Sequence, residues 1–340
     1  MTIQADCSIG LKKETTYGTG VVVDRFLEFT EESLDYDRTF VQGAGLRPGS
    51  RVARSGRRVL AKEGGAGDIS LEVPTRGLGT LLEAMLGTAS STVVAGALYQ
   101  QLFTLIKDDF QPSMTIQKGI PRLGTNTIDA YTFKGAVCSS FEFAMANADL
   151  LKLKTSWTAK EVDTAVAYAT PSYASTFDLF SFVSAGLVIG GTVTVPTATA
   201  LATGGTTVAN VRDFTFSVDN AHDDEGYNLG GGGKRTRRPA VGMAELTGKL
   251  TAEYDSTTFR DAVRDQTPLS LVATFQGPTD ITAGNKPTLQ IVVPDIRFEG
   301  ELPKSNGGDV IAQSIEFTGF DGLVAPHALY IATRTADTAL

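Results

Sequence analysis

Short apolar runs, broken every few residues by Gly, Pro, Asn or Asp, leave this chain little room for long helices. The runs are rich in β-branched and aromatic residues, the types that suit a pleated, half-buried surface. They fall at 21–23, 68–73, 101–107, 114–117, 140–143 and 151–157, then at 214–218, 250–254, 269–275, 289–293 and 311–317. Phe141-Glu142-Phe143 and Ile315-Glu316-Phe317 alternate apolar and acidic side chains, the period of a strand with one face in a core and one in water. The expected fold class is mainly β.

Helix signals are confined to two places. Leu78, Leu81, Leu82 and Met85 share one helical face, Gly87 is a natural stop, and Thr75 or Gly77 could open the helix. A second short helix is expected over 256–264, with Asp255 or Ser256 as its cap, Phe259 and Val263 as an apolar pair, and Pro268 beyond its end. Each helix would cover the open side of a sheet.

The 340 residues suffice for roughly two domains at about 150 residues each. Cys7 and Cys138 supply no disulfide framework and no zinc ligand set, and Cys138 reads as a buried structural thiol. The two histidines, His222 and His327, have no partner at metal-ligand spacing and read as solvated surface residues. With 30 Lys and Arg against 38 Asp and Glu, the formal charge is −8, unsuited to general DNA binding through phosphates. No apolar stretch reaches membrane-spanning length, and the first residues lack the pattern of a signal peptide. No membrane partner is expected.

Residues 159–209 change character. They are rich in Ala, Thr, Gly, Val and Ser, and no charge occurs over 181–210. Thr192-Val193-Thr194-Val195 reads as a strand before Pro196. The segment is taken as a linker plus an exposed hairpin. The expected domains are 1–165, with an N-terminal arm, and 166–340, with the exposed Thr/Ala/Gly-rich hairpin near 180–209.

The two halves echo one another. Phe26-Leu27-Glu28-Phe29-Thr30 matches Val211-Arg212-Asp213-Phe214-Thr215, and the run 67–73 matches 248–254. Leu81-Leu82-Glu83-Ala84-Met85 matches Phe259-Arg260-Asp261-Ala262-Val263, Phe141-Glu142 matches Phe298-Glu299, and 151–157 matches 311–317. The order is the same in both copies, which points to an internal duplication. Single β-rich architecture with similar elements used twice is the competing explanation.

Each half also carries a Gly/Arg loop after an acidic stretch. One holds Arg47, Arg51, Arg54, Arg57 and Arg58 after Glu31, Glu32, Asp35 and Asp37. The other holds Lys234, Arg235, Arg237 and Arg238 after Asp219, Asp223, Asp224 and Glu225. The glycines at 230–233 resemble a phosphate loop only superficially, because Asn228 and Arg235 stand where the motif needs Gly and Ser or Thr. The loop is expected to be long and mobile when free. A basic loop on an acidic protein can bind an acidic patch on a neighbouring copy, or simply be solvated. There is no Gly-x-Ser-x-Gly elbow and no calcium loop in the sequence, and the Asp and Glu residues sit mostly in runs or on alternating strands, as on solvated faces, where acid–base hydrolysis would need a pair converging in a cleft. No catalytic residue, cofactor or metal site is expected, and the chain does not read as an enzyme.

The opening segment is more specific. Gly10-Leu11-Lys12-Lys13-Glu14-Thr15-Thr16-Tyr17-Gly18-Thr19 leads to Phe26-Leu27-Glu28-Phe29-Thr30-Glu31-Glu32-Ser33-Leu34, then to the Gly/Arg loop, the run 67–73, and Gly77-Leu78-Gly79-Thr80-Leu81-Leu82. This resembles the tail tube protein (major tail protein) of long-tailed bacteriophages, in its larger, two-tube-domain type. The resemblance implies two tandem β-sandwich or barrel domains, each with a short flanking helix, in a subunit that forms rings. The rings stack into the tail tube around a tape-measure protein, meet terminator and tip proteins at its ends, and later pass the genome without binding it specifically. The duplication favours a trimer with pseudo-sixfold symmetry, and a hexamer stays open. The chain would be made in the host cytoplasm and end in the virion tail. An acidic lumen would repel DNA phosphates, and the Gly/Arg residues above would be contacts between rings. The alternative is a virion adhesin or carbohydrate-binding module.

Overall fold

Strand-forming residues fill most of the chain, and their apolar side chains meet in one large core. The protein is described from a computed structural model covering residues 3–300 and 311–340, apart from Ser50, Asn126, Ser175, Ala209, Asp224, Asp255, Ser256 and the side chain of Thr258. The fold is mainly β, with two α-helices among the described residues, α1 (Gly79–Leu86) and α2 (Thr258–Asp265).

A continuous antiparallel sheet runs through the centre. Its first quartet is built from the edge segment 29–42, then Arg58–Glu72, then Lys152–Ala159, then the second half of Ile128–Met145. Its second quartet is Val211–Asp219, then Glu245–Glu253, then Ala312–Gly319, then the last residues of Thr288–Gly300. In chain order both quartets pair first–second–fourth–third. Even a bulge recurs, between Phe29 and Glu31 in one and between Val211 and Asp213 in the other. The quartets join directly: Phe214 pairs with Met145, Phe216 with Phe143, and Asp219 with Ser140.

Register adjusts three of the sequence echoes. Phe29 and Val211 occupy the same place, opposite Leu71 and Ala252, so the first echo moves by three residues. Cys138, opposite Trp157, is the counterpart of Phe298, opposite Phe317, because a bulge beside Trp157 shifts the strand that carries Phe141. The helices end on left-handed residues, Gly87 (φ 92°) and Gln266 (φ 49°), which displaces the helical echo by one residue.

Ile128–Met145 and Thr288–Gly300 each begin in a flanking sheet. The first lies beside Met114–Pro121, Ser8–Lys13 and Arg25–Leu27. The second lies between Leu269–Gln276 and Tyr330–Thr335. Tyr330–Thr335 pairs in turn with Leu98–Leu105, which pairs with Gly87–Ala95. A hairpin from the first half of the chain thus completes a sheet of the second half.

Several local expectations change. Residues 21–23 form no strand; Val23 is buried against Gly10, and the Val21 N–H donates to Thr115 Oγ1. Helix α1 opens at Leu78, since Thr75 Oγ1 already accepts from the Asp178 N–H and the Gly77 N–H donates to Asp337. All of α1 except Glu83 is buried. For α2 the cap position is Thr257, and the proposed caps Asp255 and Ser256 lie outside the described residues. The small hairpin of Val193–Thr194 and Thr203–Gly204 is anchored: Gln100 donates to the carbonyls of Thr197 and Ala200, and Ala202 is buried beside Val272, Val292 and Tyr330.

Candidate assembly surfaces

Alternation along the central strands sends Phe141, Phe143, Phe214, Phe216, Phe298 and Phe317 to the core and polar residues to the opposite face. On that face the first quartet carries Glu31, Asp35, Asp68, Glu72 and Glu142, with Lys152 and Lys154. The second carries Asp213, Asp219, Glu245, Glu253, Glu299 and Glu316, with Lys249 and Arg297. Lys154 bridges to Asp68 at 2.8 Å and Lys249 to Glu316 at 3.5 Å. Burial works against ionisation of Asp68, but hydrogen bonds from Lys154 and Ser156 outweigh it and hold the carboxyl below the usual range. Arg212, at the second bulge, pairs with Glu253. The face is therefore acidic along both quartets.

The connection after the first edge segment forms a long arm, Asp35–Gln42 against residues 58–66. Described residues from 35 to 62 are exposed throughout, and Leu46 at its tip is 99% exposed. Arg47, Arg51 and Arg54 lie in the tip, while Arg57 closes a short 3-10 turn over Ser55–Arg57 and receives the Gly43 N–H on its carbonyl. Arg58 stacks on Phe40 at 4.9 Å and Arg38 on Tyr36 at 4.2 Å. The arm presents guanidinium groups together with the exposed apolar side chains Phe40, Val41, Leu46, Val52 and Val59.

The equivalent connection in the second quartet folds back. Lys234 reaches Glu161 at 2.5 Å and Glu63 at 3.5 Å, and the Glu63 N–H donates to the Gly233 carbonyl. Arg235 is 4% exposed, donates to the carbonyls of Asp223 and Glu225, and lies over the Tyr227 ring. Arg237 pairs with Asp223, and Arg238 donates to the Gln111 carbonyl. The hydrogen bond from Arg237 holds the Asp223 carboxyl below its usual range. The arm's tip arginines are thus exposed, whereas the basic side chains of the second loop are paired within the chain. The second loop is fastened to the base of the first arm in the same chain, where the sequence leaves it either to meet a neighbouring copy or to be solvated.

Glu14, inside the opening motif, is the main polar feature the sequence did not single out. Its buried carboxylate accepts from the Gly18 and Gly135 N–H groups at 2.8 Å, from Ser113 Oγ at 2.8 Å and from Thr115 Oγ1 at 3.0 Å. Tyr17 lies beside it, with burial pushing its phenol up to about 12. The available signal was an acidic residue between an apolar strand and a Tyr-Gly turn. Cys138 is fully buried, and burial pushes its thiol well up. His222 and His327 are half-buried and not solvated as expected; desolvation lowers both. Among the described residues no group of three or more His, Cys, Asp or Glu could hold a metal ion, and no helix is long and apolar enough to cross a membrane.

The chain thus combines an acidic, strand-built face with an exposed arm on a mainly β fold. Comparison with known families is specific: the family described as phage tail tube protein matches residues 4–319, and the chain belongs to that family. It is a structural component of the virion tail that assembles into a tube. No curated protein matches the chain.

Proposed function

We propose that copies of this chain close into rings, that the rings stack into the tail tube, and that the acidic face of the central sheet lines the bore. The observation that carries this is the quartet found twice in one continuous sheet, with the same pairing order and the same bulge. Residues 1–165 and 166–340 then act as two tube-type domains in one chain, the first lending the hairpin of Gly87–Ala95 and Leu98–Leu105 to a sheet of the second. Two such units per chain favour a three-copy ring with pseudo-sixfold symmetry. Closing the sheet on itself removes strand edges that would otherwise aggregate. Fixed carboxylates along the bore repel DNA phosphates, so the genome passes without sticking.

Stacking of rings is a head-to-tail contact that does not close, the geometry of a filament. The arm with Arg47, Arg51, Arg54, Arg57 and Arg58 suits that contact, because its basic and apolar side chains are exposed. Lys234, Arg235, Arg237 and Arg238 serve by fastening the second loop, and through it the arm's base. A tape-measure protein occupies the bore during assembly, and terminator and tip proteins meet the tube ends. Synthesis takes place in the host cytoplasm.

Negative-stain microscopy of the concentrated protein tests this reading. Hollow tubes or stacked rings are expected, with three strong peripheral lobes in axial view. A monodisperse monomer at high concentration overturns it, and six equal lobes replace the trimer by the hexamer.

A further inference from the structure

Among the described residues, the central sheet has one internal junction and two open ends. Inside the chain, Val211–Asp219 pairs antiparallel with residues 140–145 of Ile128–Met145. By the quartet equivalence, Val211–Asp219 corresponds to the edge segment starting at Phe29, and residues 138–141 correspond to the end of Thr288–Gly300. Among the described residues, neither the outer side of the edge segment nor the outer side of Glu299 and Gly300 has a partner strand.

We infer that the end of Thr288–Gly300 in one copy pairs antiparallel with the edge segment of a second copy, in the register of the internal junction: Asp37 opposite Glu299 and Tyr36 opposite Gly300. The inference rests on the ring reading above and adds the residues that close the ring.

The register follows from matching positions. Asp219 faces Ser140 inside the chain; Asp37 is the counterpart of Asp219, opposite Gly64 as Asp219 is opposite Glu245. Glu299, opposite Glu316, is the counterpart of Ser140, opposite Ser156. Backbone direction gives an independent check. The Ser33 N–H points inward to the Asp68 carbonyl, so Leu34 and Tyr36 point outward. On the other edge the Phe298 carbonyl points outward, where it accepts from Gln266, so Gly300 points outward too. Outward Tyr36 meets outward Gly300, as a ladder requires.

In the single chain the outward groups are held by side chains. The Tyr36 N–H donates to Asp35, the Leu34 N–H to Glu32, and the Leu34 carbonyl accepts from Lys118 at 2.5 Å. Such caps blunt an edge until the proper strand displaces them. Two carboxylates, Asp37 and Glu299, then face each other, a local repulsion that Arg297 on the same face offsets.

The Asn220 N–H donates to the Ser139 carbonyl, which makes the adjacent pair, Asp219 with Ser140, a non-hydrogen-bonded one. Asp37 and Glu299 inherit that type, whose Cα separation of about 4.5 Å lies in the range a disulfide spans. The test is Asp37→Cys with Glu299→Cys in a Cys7→Ser background, oxidised under assembly conditions. A reducible ladder ending at the copy number of the ring is expected on non-reducing gels. Asp37→Cys chains mixed with Glu299→Cys chains should give dimers, while each alone stays monomeric. The mixture also serves if the double variant folds poorly. Rings without these cross-links, or with a stronger cross-link between Tyr36→Cys and Glu299→Cys, overturn the register and leave the ring reading standing. Absence of rings from the unmodified protein overturns both.

Discussion

Gly248 pairs with Phe317 across the central sheet, and the phenyl ring fills the space that a Cβ on the glycine would need. Gly67, its counterpart, pairs with Trp157, but there the obstruction is backbone, at Ser33 and Leu34, and φ is 148°. The two glycines therefore respond differently to substitution. Gly248→Ala is expected to cost about 1–3 kcal/mol through overpacking, and Phe317→Leu should recover part of it in a double-mutant cycle. Gly67→Ala should cost at least as much with no recovery from Trp157→Leu. Urea unfolding of the four variants and the two doubles reads this out; equal recovery at both sites would contradict the assignment.

Arginine substitutions should separate folding from assembly. Replacing Arg235 with Ser removes the hydrogen bonds of a buried guanidinium to the Asp223 and Glu225 carbonyls and a ring contact, with an expected loss of about 2–3 kcal/mol. Replacing Arg47, Arg51 and Arg54 together with Ser touches exposed tip residues only, and each change should stay within about 0.5 kcal/mol. That triple variant should unfold like the native protein yet stack poorly by sedimentation and microscopy. Normal tubes from it would remove the arm's arginines from the ring contact.

Both loops look alike in sequence because composition records charge and flexibility, not the partner that meets them. The partners of Lys234 in the second loop, Glu161 and Glu63, converge on it through non-local pairing that no spacing reveals. The packing of the hairpin of Gly87–Ala95 and Leu98–Leu105 was equally hidden, although 101–107 reads as a strand, since its neighbour Tyr330–Thr335 arrives from the far end of the chain. Alternating strands such as Phe141-Glu142-Phe143 were legible because burial of one face imposes a period of two. The echo of 67–73 with 248–254 was legible because both glycines meet a spatial demand. The bulge beside Trp157 shifts register without leaving a compositional mark, so the echo carrying Phe141 aligned away from its true counterpart.

Glu14 joins Ser8–Lys13, the turn at Gly18, the strand Met114–Pro121 and Gly135 of Ile128–Met145 through one carboxylate. Glu14→Ala strands its donors in a site that is 4% exposed. A loss of about 3 kcal/mol or more is expected, since each unpaired buried group costs roughly 1–3 kcal/mol. Glu14→Gln should fall between, because its amide nitrogen faces donors where an acceptor is needed. Hydrogen exchange should show faster opening at Gly18 and Gly135 in both variants. Native-like stability of Glu14→Ala would show that the donors find other acceptors.

His222 gives the fold a predictable weakness in acid. Neither ring nitrogen has a hydrogen-bond partner among the described residues, and burial lowers its pKa, helped by Arg235 and opposed by Asp219 and Asp223. The folded state favours neutral imidazole, whereas the unfolded chain takes up a proton near pH 6.5. Stability from this group is therefore complete above about pH 6.5 and declines as pH falls below it, by about 1.4 kcal/mol per unit of pKa difference at the limit. His327, also lowered by burial, acts in the same direction. Melting temperatures at pH 7.5 and 5.5 should differ more in the native protein than in His222→Gln, and least in the double variant with His327→Gln. Identical pH dependence in all three would show that both imidazoles are protonated as easily in the folded chain as in the unfolded one.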